Sequence, residues 1–319
     1  MQERKVKWTN ESWFRRTVRL FKRDWQLHVC IWIPMIYVFI FRYMPIYGVQ
    51  IAFRDYSPAK GIIESNWVGL KWFVEFMKNQ KFMQYLGNTI ILSLYTLVVG
   101  FPLPIIYALL LNTVTREKFK RAVQTISYMP HFISMVVFVG ILNMVFSPIS
   151  GVYGNLYRLF GGVGFPRDFR ATANTFRHMY VWSGVWQGMG WNSIIYISAL
   201  SGVSAELHEA AQIDGATRFQ RMRHIDIPSI MPTIAILLIM RCGSLVSVGF
   251  EKVFLMQTTL NTKVSEVIST YVYKTGFASF KNFSYSSAVG LWNTAINLTL
   301  LMIVNSITKK MTEGDVSLF

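Results

Sequence analysis

Residues 82–115 read FMQYLGNTIILSLYTLVVGFPLPIIYALLLNTVT, 34 residues without one aspartate, glutamate, lysine or arginine. A helix needs about 20 mostly apolar residues to cross a bilayer, so this run is long enough by itself. Residues 122–157, 178–205 and 282–308 are equally free of charge. Trp25–Phe53 is interrupted only by Arg42, and Ile227–Phe250 only by Arg241. Together the runs predict an all-α integral membrane fold. Its six transmembrane helices are expected over 28–49, 88–111, 123–146, 179–200, 229–250 and 287–307.

The whole chain fits that reading. Of 319 residues, 52% are hydrophobic and only 15% charged, where a soluble domain carries about a quarter. Mean hydropathy is +0.34. Aromatic residues at 15% exclude disorder. Cys30 and Cys242 both sit in apolar runs, which argues against a disulfide framework or a cysteine metal cluster. Pro34, Pro45, Gly100, Pro102, Pro104 and Pro130 fall inside the runs. Such breaks are tolerated where neighbours satisfy the freed backbone groups, and they suggest kinked, closely packed helices.

Six crossings place both termini on one side, and lysine and arginine near the spans decide which. The net charge of +16 would suggest nucleic acid in a soluble protein. Here it divides across the membrane. The segments on the terminal side carry 17 basic residues, eight of them before Asp24 and four at Arg116, Lys118, Lys120 and Arg121. The longer segments opposite carry 13 basic and 6 acidic residues. Both termini are therefore expected in the cytoplasm of a multi-pass protein of the bacterial cell membrane. No small-residue cleavage site follows the first run, so the first helix is expected to stay as an anchor.

This gives a basic cytoplasmic segment over 1–27, a membrane domain over 28–308 and a cytoplasmic tail over 309–319. In the first segment Phe14, Val18, Phe21 and Trp25 recur at helical spacing behind Ser12, with arginines and lysines on the other faces. Such a helix lies in the headgroup layer; the plainer alternative is a solvated basic lead-in.

Enzyme chemistry has no support. There is no G-x-x-x-x-G-K-[ST] run to cradle a nucleotide phosphate and no G-x-S-x-G elbow. His208-Glu209-Ala210-Ala211-Gln212 begins like H-E-x-x-H but lacks the second histidine. The five histidines show no ligand spacing. No catalytic residue, metal site or cofactor is expected in this chain.

The loop over 201–228, between the fourth and fifth spans, has a pattern of its own. Ser204 can cap a short helix and Gly215 can end it in the left-handed conformation. Such a helix is too short to be stable alone and needs a partner. Leu207, Ala210, Ala211 and Asp214 share one face, where two alanines permit close approach. Thr217 can cap a second helix leading to Pro228. An ordinary interhelical loop is the plainer alternative.

Glu209-Ala210-Ala211, then Asp214-Gly215-Ala216, then Ile225-x-Ile227-Pro228 resembles the EAA loop of binding-protein-dependent ABC importers. Ile227 stands for the usual leucine and Met222 for a common phenylalanine, apolar swaps that packed surfaces tolerate. Further stretches resemble the LplB-type carbohydrate permeases: Tyr43-Met44-Pro45-Ile46-Tyr47-Gly48, Asn66-Trp67-Val68-Gly69-Leu70, Ser127-Tyr128-Met129-Pro130-His131 and Trp186-Gln187-Gly188-Met189-Gly190-Trp191-Asn192.

The resemblance implies the type I ABC importer permease fold, with a coupling helix docked on an ATPase. Leu207, Glu209, Ala210, Ala211, Asp214, Gly215 and Ala216 would make that contact. It also implies a second, different permease around one path, two ATPase subunits holding ATP and magnesium, and an external substrate-binding protein. The substrate would be an oligosaccharide or polysaccharide-derived sugar. Oligosaccharide sites combine aromatic platforms with amides, which Trp182, Trp186, Gln187, Trp191 and Asn192 offer. Packing or interfacial tryptophans are the plainer alternative. Arg241 would cost about 2.5–3.5 kcal/mol facing lipid near mid-span, so it is expected to face the path, a partner subunit or a carboxylate. An ion-coupled secondary transporter is the alternative from another class. It needs buried coupling carboxylates or histidines, and the second, third and sixth spans hold no carboxylate. A channel would need a filter signature, which is absent.

Overall fold

In a computed structural model, residues 19–245, 248–278 and 282–311 are described. Of the basic segment only residues 19–27 lie within these, so Ser12, Phe14 and Val18 fall outside, as do residues 312–319. The described residues are mostly helical and fall into two compact units, divided after Val68.

The first unit holds α1 (Trp25–Phe53), an α-helix that passes through a π turn at Phe39–Tyr43 into 3-10 turns from Met44. Pro34 lies inside its α-helical part and Pro45 near the start of its 3-10 part, where each removes a backbone donor. Nearly every side chain of α1 is exposed and apolar all round, the composition of a helix solvated by lipid. A hairpin follows, β1 (Arg54–Ser57) against β2 (Ser65–Trp67), with Arg54 opposite Trp67. Phe53 stacks on Trp67 at 5.6 Å, and Arg54 lies over the same ring.

In the second unit, α2 (Lys71–Lys78) precedes α3 (Phe82–Asn112), whose two parts meet at Phe101 between Gly100 and Pro102. Then come α4 (Glu117–Phe132), α5 (Met135–Val145), α6 (Val152–Leu159), α7 (Ala173–Leu200), α8 (Ala205–Ile213), α9 (Arg218–Gly243), α10 (Phe250–Met256), α11 (Ile268–Tyr273) and α12 (Phe283–Met311), single turns aside. The long α7 serves two cores. Its Phe176, Tyr180 and Val181 pack with Leu92 of α3 and Phe138, Val139 and Leu142 of α5. Tyr196 and Leu200 pack with Ala108 and Leu109 of α3 and Ile230 of α9. Gly190 lets α7 meet α4 backbone to backbone, since a Cβ there would stand 2.3 Å from the Ser127 carbonyl oxygen.

Among the described residues α1, α3, α9 and α12 are each long and apolar enough to cross a membrane. The helix expected over 123–146 is the pair α4 and α5, bent by 101° between Phe132 and Met135. Pro130 interrupts the hydrogen-bond ladder, and the chain turns at the extended Ile133 and Ser134, which caps α5. The helix expected over 229–250 ends at Gly243, and a new one begins at Phe250. At 28 residues, α7 is about 42 Å long, though its glycines, serines, asparagines and glutamine dilute its hydropathy.

Between α6 and α7, Asp168 accepts from the Arg170 guanidinium at 2.9 and 3.0 Å and from its backbone N–H at 2.8 Å. These donors hold the Asp168 carboxyl below the usual carboxylate range. A depressed carboxyl pKa contributes stability that is present above the unfolded value and lost as pH falls through the folded one. Arg170→Gln removes that contribution. Amide exchange of residues 161–172, corrected for intrinsic rate, is then expected to be faster than in the unsubstituted chain near neutral pH, and the difference is expected to close as pH falls.

Candidate functional site

The loop after α7 folds by local rules. The Ser204 hydroxyl accepts from the Glu206 N–H at 3.2 Å and starts α8. Gly215 ends it at φ +79°. The Gly215 N–H donates to the Gln212 carbonyl at 3.1 Å and the Ala216 N–H to the Ala211 carbonyl at 2.8 Å, the paired bonds of a Schellman motif. Thr217 then forms a capping box with Gln220. The Gln220 N–H donates to the Thr217 hydroxyl at 3.3 Å, and the Thr217 N–H donates to Gln220 Oε1 at 2.8 Å.

This doubly capped helix leaves its large apolar side chains outside the fold. Leu207 is 53% exposed and Ile213 88%. Glu209, Ala210, Asp214 and Gly215 are exposed as well, while Ala211 and Ala216 are half-buried. Ala211, Asp214, Gly215 and Ala216 come together with Gln220 and His224 around a shallow cavity of about 340 Å³.

On its other side α8 is tied down by one side chain. His208 Nε2 lies 3.3 Å from Asp226 Oδ1, and Asp226 is only 3% exposed. The Asn112 amide at the end of α3 reaches the same oxygen at 3.4 Å. Sequence reasoning missed this pair. The available signal was a lone carboxylate, Asp226, immediately before the apolar run that opens with Ile227.

The aromatic and amide residues of α7 do not all meet. Trp191, Asn192 and Arg241 line one cavity of about 480 Å³ together with Ser244. Trp191 stacks flat on His131 at 4.5 Å. Trp182, Trp186 and Gln187 lie elsewhere along α7. The Trp182 indole N–H donates to the Tyr95 hydroxyl at 3.1 Å, Trp186 stacks on Phe138 at 5.9 Å, and the Gln187 amide donates to the Ile133 carbonyl at 3.2 Å. That carbonyl lies at the bend between α4 and α5, where the helical ladder is interrupted. Gln187 therefore has a structural task. Among the described residues no group of three metal-ligating side chains occurs.

Residues 100–313 match the family described as binding-protein-dependent transport system inner membrane component. Protein LplB of Bacillus subtilis (strain 168) is 42% identical over 289 residues, covering 91% of this chain and 90% of that one. The polygalacturonan/rhamnogalacturonan transport system permease protein YteP of the same organism is 39% identical over 302 residues, covering 95% and 93%. Among solved structures, a bacterial alginate ABC transporter in complex with an alginate pentasaccharide-bound periplasmic protein has a similar chain. It matches at TM-score 0.83 and 34% identity, over 94% of this chain and 99% of that one. With two thirds of its length inside the family match and relatives similar from end to end, this chain belongs to the binding-protein-dependent transport system inner membrane components.

Proposed function

We propose that the chain is one permease subunit of an ATP-driven ABC importer for an oligosaccharide. In this reading α1, α3, the bent pair α4–α5, α7, α9 and α12 are the six crossings, and both termini lie in the cytoplasm. A second permease completes the path, two ATPase subunits bind ATP and magnesium beneath it, and an external binding protein delivers the sugar. The α8 helix is the coupling helix. It meets an ATPase through Leu207, Ala210, Ala211 and Asp214, with Glu209, Gly215 and Ala216 setting its orientation and end. Trp191, Asn192 and Arg241 line the path.

The observation that carries the reading is α8 itself, a helix capped at both ends with Leu207 and Ile213 turned out of the fold. Nine residues do not hold a helix alone in water, and exposed apolar side chains on a formed helix mark a docking face. The names of the relatives support the sugar, since YteP is a polygalacturonan/rhamnogalacturonan permease and the solved transporter binds alginate through a periplasmic protein.

The test is co-purification of the ATPase with the tagged chain, followed by sugar uptake in proteoliposomes. Leu207→Asp changes an exposed residue, so its folding cost is within about 0.5 kcal/mol. A carboxylate pressed into an apolar groove is expected to weaken ATPase association about tenfold, or about 1.4 kcal/mol. Full association and uptake in Leu207→Asp would remove α8 from the contact.

A further inference from the structure

A second cavity of about 270 Å³ adjoins the one that holds Trp191 and Asn192. Ser93 and Thr96 of α3, Tyr180 of α7 and Arg241 and Ser244 at the end of α9 line it, and Arg241 and Ser244 belong to both cavities. Its polar groups are unbalanced. Ser93 is 6% exposed, and its hydroxyl has no hydrogen-bond partner. Arg241 forms no ion pair within 4.0 Å among the described residues. No lining side chain is a carboxylate.

The other lining groups are already engaged. The Thr96 hydroxyl donates to the Leu92 carbonyl at 2.8 Å and the Ser244 hydroxyl to the Arg241 carbonyl at 3.2 Å. Tyr180 is held from behind by Lys252, whose Nζ donates to its carbonyl at 2.8 Å and lies 4.7 Å from its ring centre. A rigid wall therefore presents a guanidinium, which has donors only, and one unpaired hydroxyl. The buried Ser93 hydroxyl without a partner calls for one, and the Arg241 guanidinium, exposed in this chain, is matched best by an acceptor-only oxyanion. The adjoining cavity offers an indole face and an amide at Trp191 and Asn192, the chemistry that holds a sugar ring.

We propose that Arg241 and Ser93 form a carboxylate-binding subsite in the translocation path, which takes the carboxylate of a uronic acid residue as the oligosaccharide passes. The proposal rests on the saccharide-permease reading above and adds the charge of the cargo and the residues that sense it. The same carboxylate chemistry could come from an aspartate or glutamate of the second permease, and the test separates the two sources.

Proteoliposomes carrying the complete transporter, with its binding protein in saturating excess, are given a galacturonate tetrasaccharide or its carboxyl-reduced, neutral counterpart. Arg241→Gln is expected to lower the uronate-to-neutral uptake ratio about tenfold and Ser93→Ala about threefold, the loss of a cation with its hydrogen bonds and of a single hydroxyl hydrogen bond to the carboxylate. Arg241→Lys, which keeps the charge, is expected to recover part of the ratio. An unchanged ratio overturns the proposal. So does equal loss for both sugars with reduced complex yield, the signature of a carboxylate supplied by the second permease. If only the uronate is carried, Arg241→Lys must retain several-fold more uptake than Arg241→Gln at equal complex yield, and equal loss overturns the subsite. An unsubstituted complex that imports only the neutral sugar also overturns it and leaves the saccharide reading standing. One that imports neither overturns the saccharide reading itself.

Discussion

Gly215→Val is expected to leave the chain in the membrane at normal abundance and to abolish uptake. Gly215 sits at φ +79° with nothing within 4 Å of the place a Cβ would occupy. The penalty therefore comes from the backbone, with no packing clash to confuse it. The left-handed conformation costs an ordinary residue about 1–2 kcal/mol, and a β-branched residue is a true outlier there. The cheapest escape is to turn the peptide, which breaks the bonds from the Gly215 and Ala216 N–H groups and lets the end of α8 unwind. None of the six proposed crossings is touched, so immunoblotting of membranes is expected to read as for the unsubstituted chain. ATPase co-purification and uptake are both expected to be lost. Gly215→Asn is the control, because asparagine enters the left-handed region more readily, and it is expected to keep most of both activities. Normal co-purification and transport in Gly215→Val would mean that α8 does not couple the subunits.

His208→Ala is expected to be the most damaging single change on the face of α8 turned toward the protein. Asp226 is buried, and its partners are His208 at 3.3 Å and the Asn112 amide at 3.4 Å. Without His208, Asp226 keeps the Asn112 amide and the charge of Arg221, and leaving a buried acceptor short of a partner costs about 1–3 kcal/mol. The cost is expected as lower complex yield and a lower unfolding temperature, together with weakened coupling of ATP hydrolysis to sugar. Asp226→Asn in the same chain removes the charge that needed a partner. The double variant is accordingly expected to recover much of the loss, and a thermal double-mutant cycle measures it. Additive losses would show that the two side chains do not act as a pair.

Much of the fold is legible in the sequence because lipid makes one rule dominate, and runs free of charge mark the apolar helices directly. Local capping is equally legible. Ser204 and Thr217 cap through their hydroxyls, and Gly215 takes the left-handed turn that the lack of a Cβ permits. The bend at Ile133–Ser134 was less so. Pro130 marks a break, but whether the chain kinks slightly or turns by 101° depends on Gln187 and Gly190 of another helix. The same long-range packing explains why the α7 aromatics disperse. Their spacing is visible in the sequence, but which neighbour each ring meets is set by α3 and α5. The buried Asp226 was missed for a similar reason, since its partner His208 is 18 residues away in another helix.

The bend between α4 and α5 has a consequence for biosynthesis. As 11 helical residues, α5 reaches about 16 Å, roughly half of the hydrocarbon thickness. A nascent chain that has emerged only as far as Val145 thus offers the insertion machinery a stub and an exposed peptide group. The group that caps the Ile133 carbonyl belongs to Gln187, 54 residues later. Translation must therefore run well into α7 before this turn can leave a watery environment without an unsatisfied carbonyl. On the proposed arrangement the third crossing is completed by the fourth, and the two are expected to enter the bilayer as a pair.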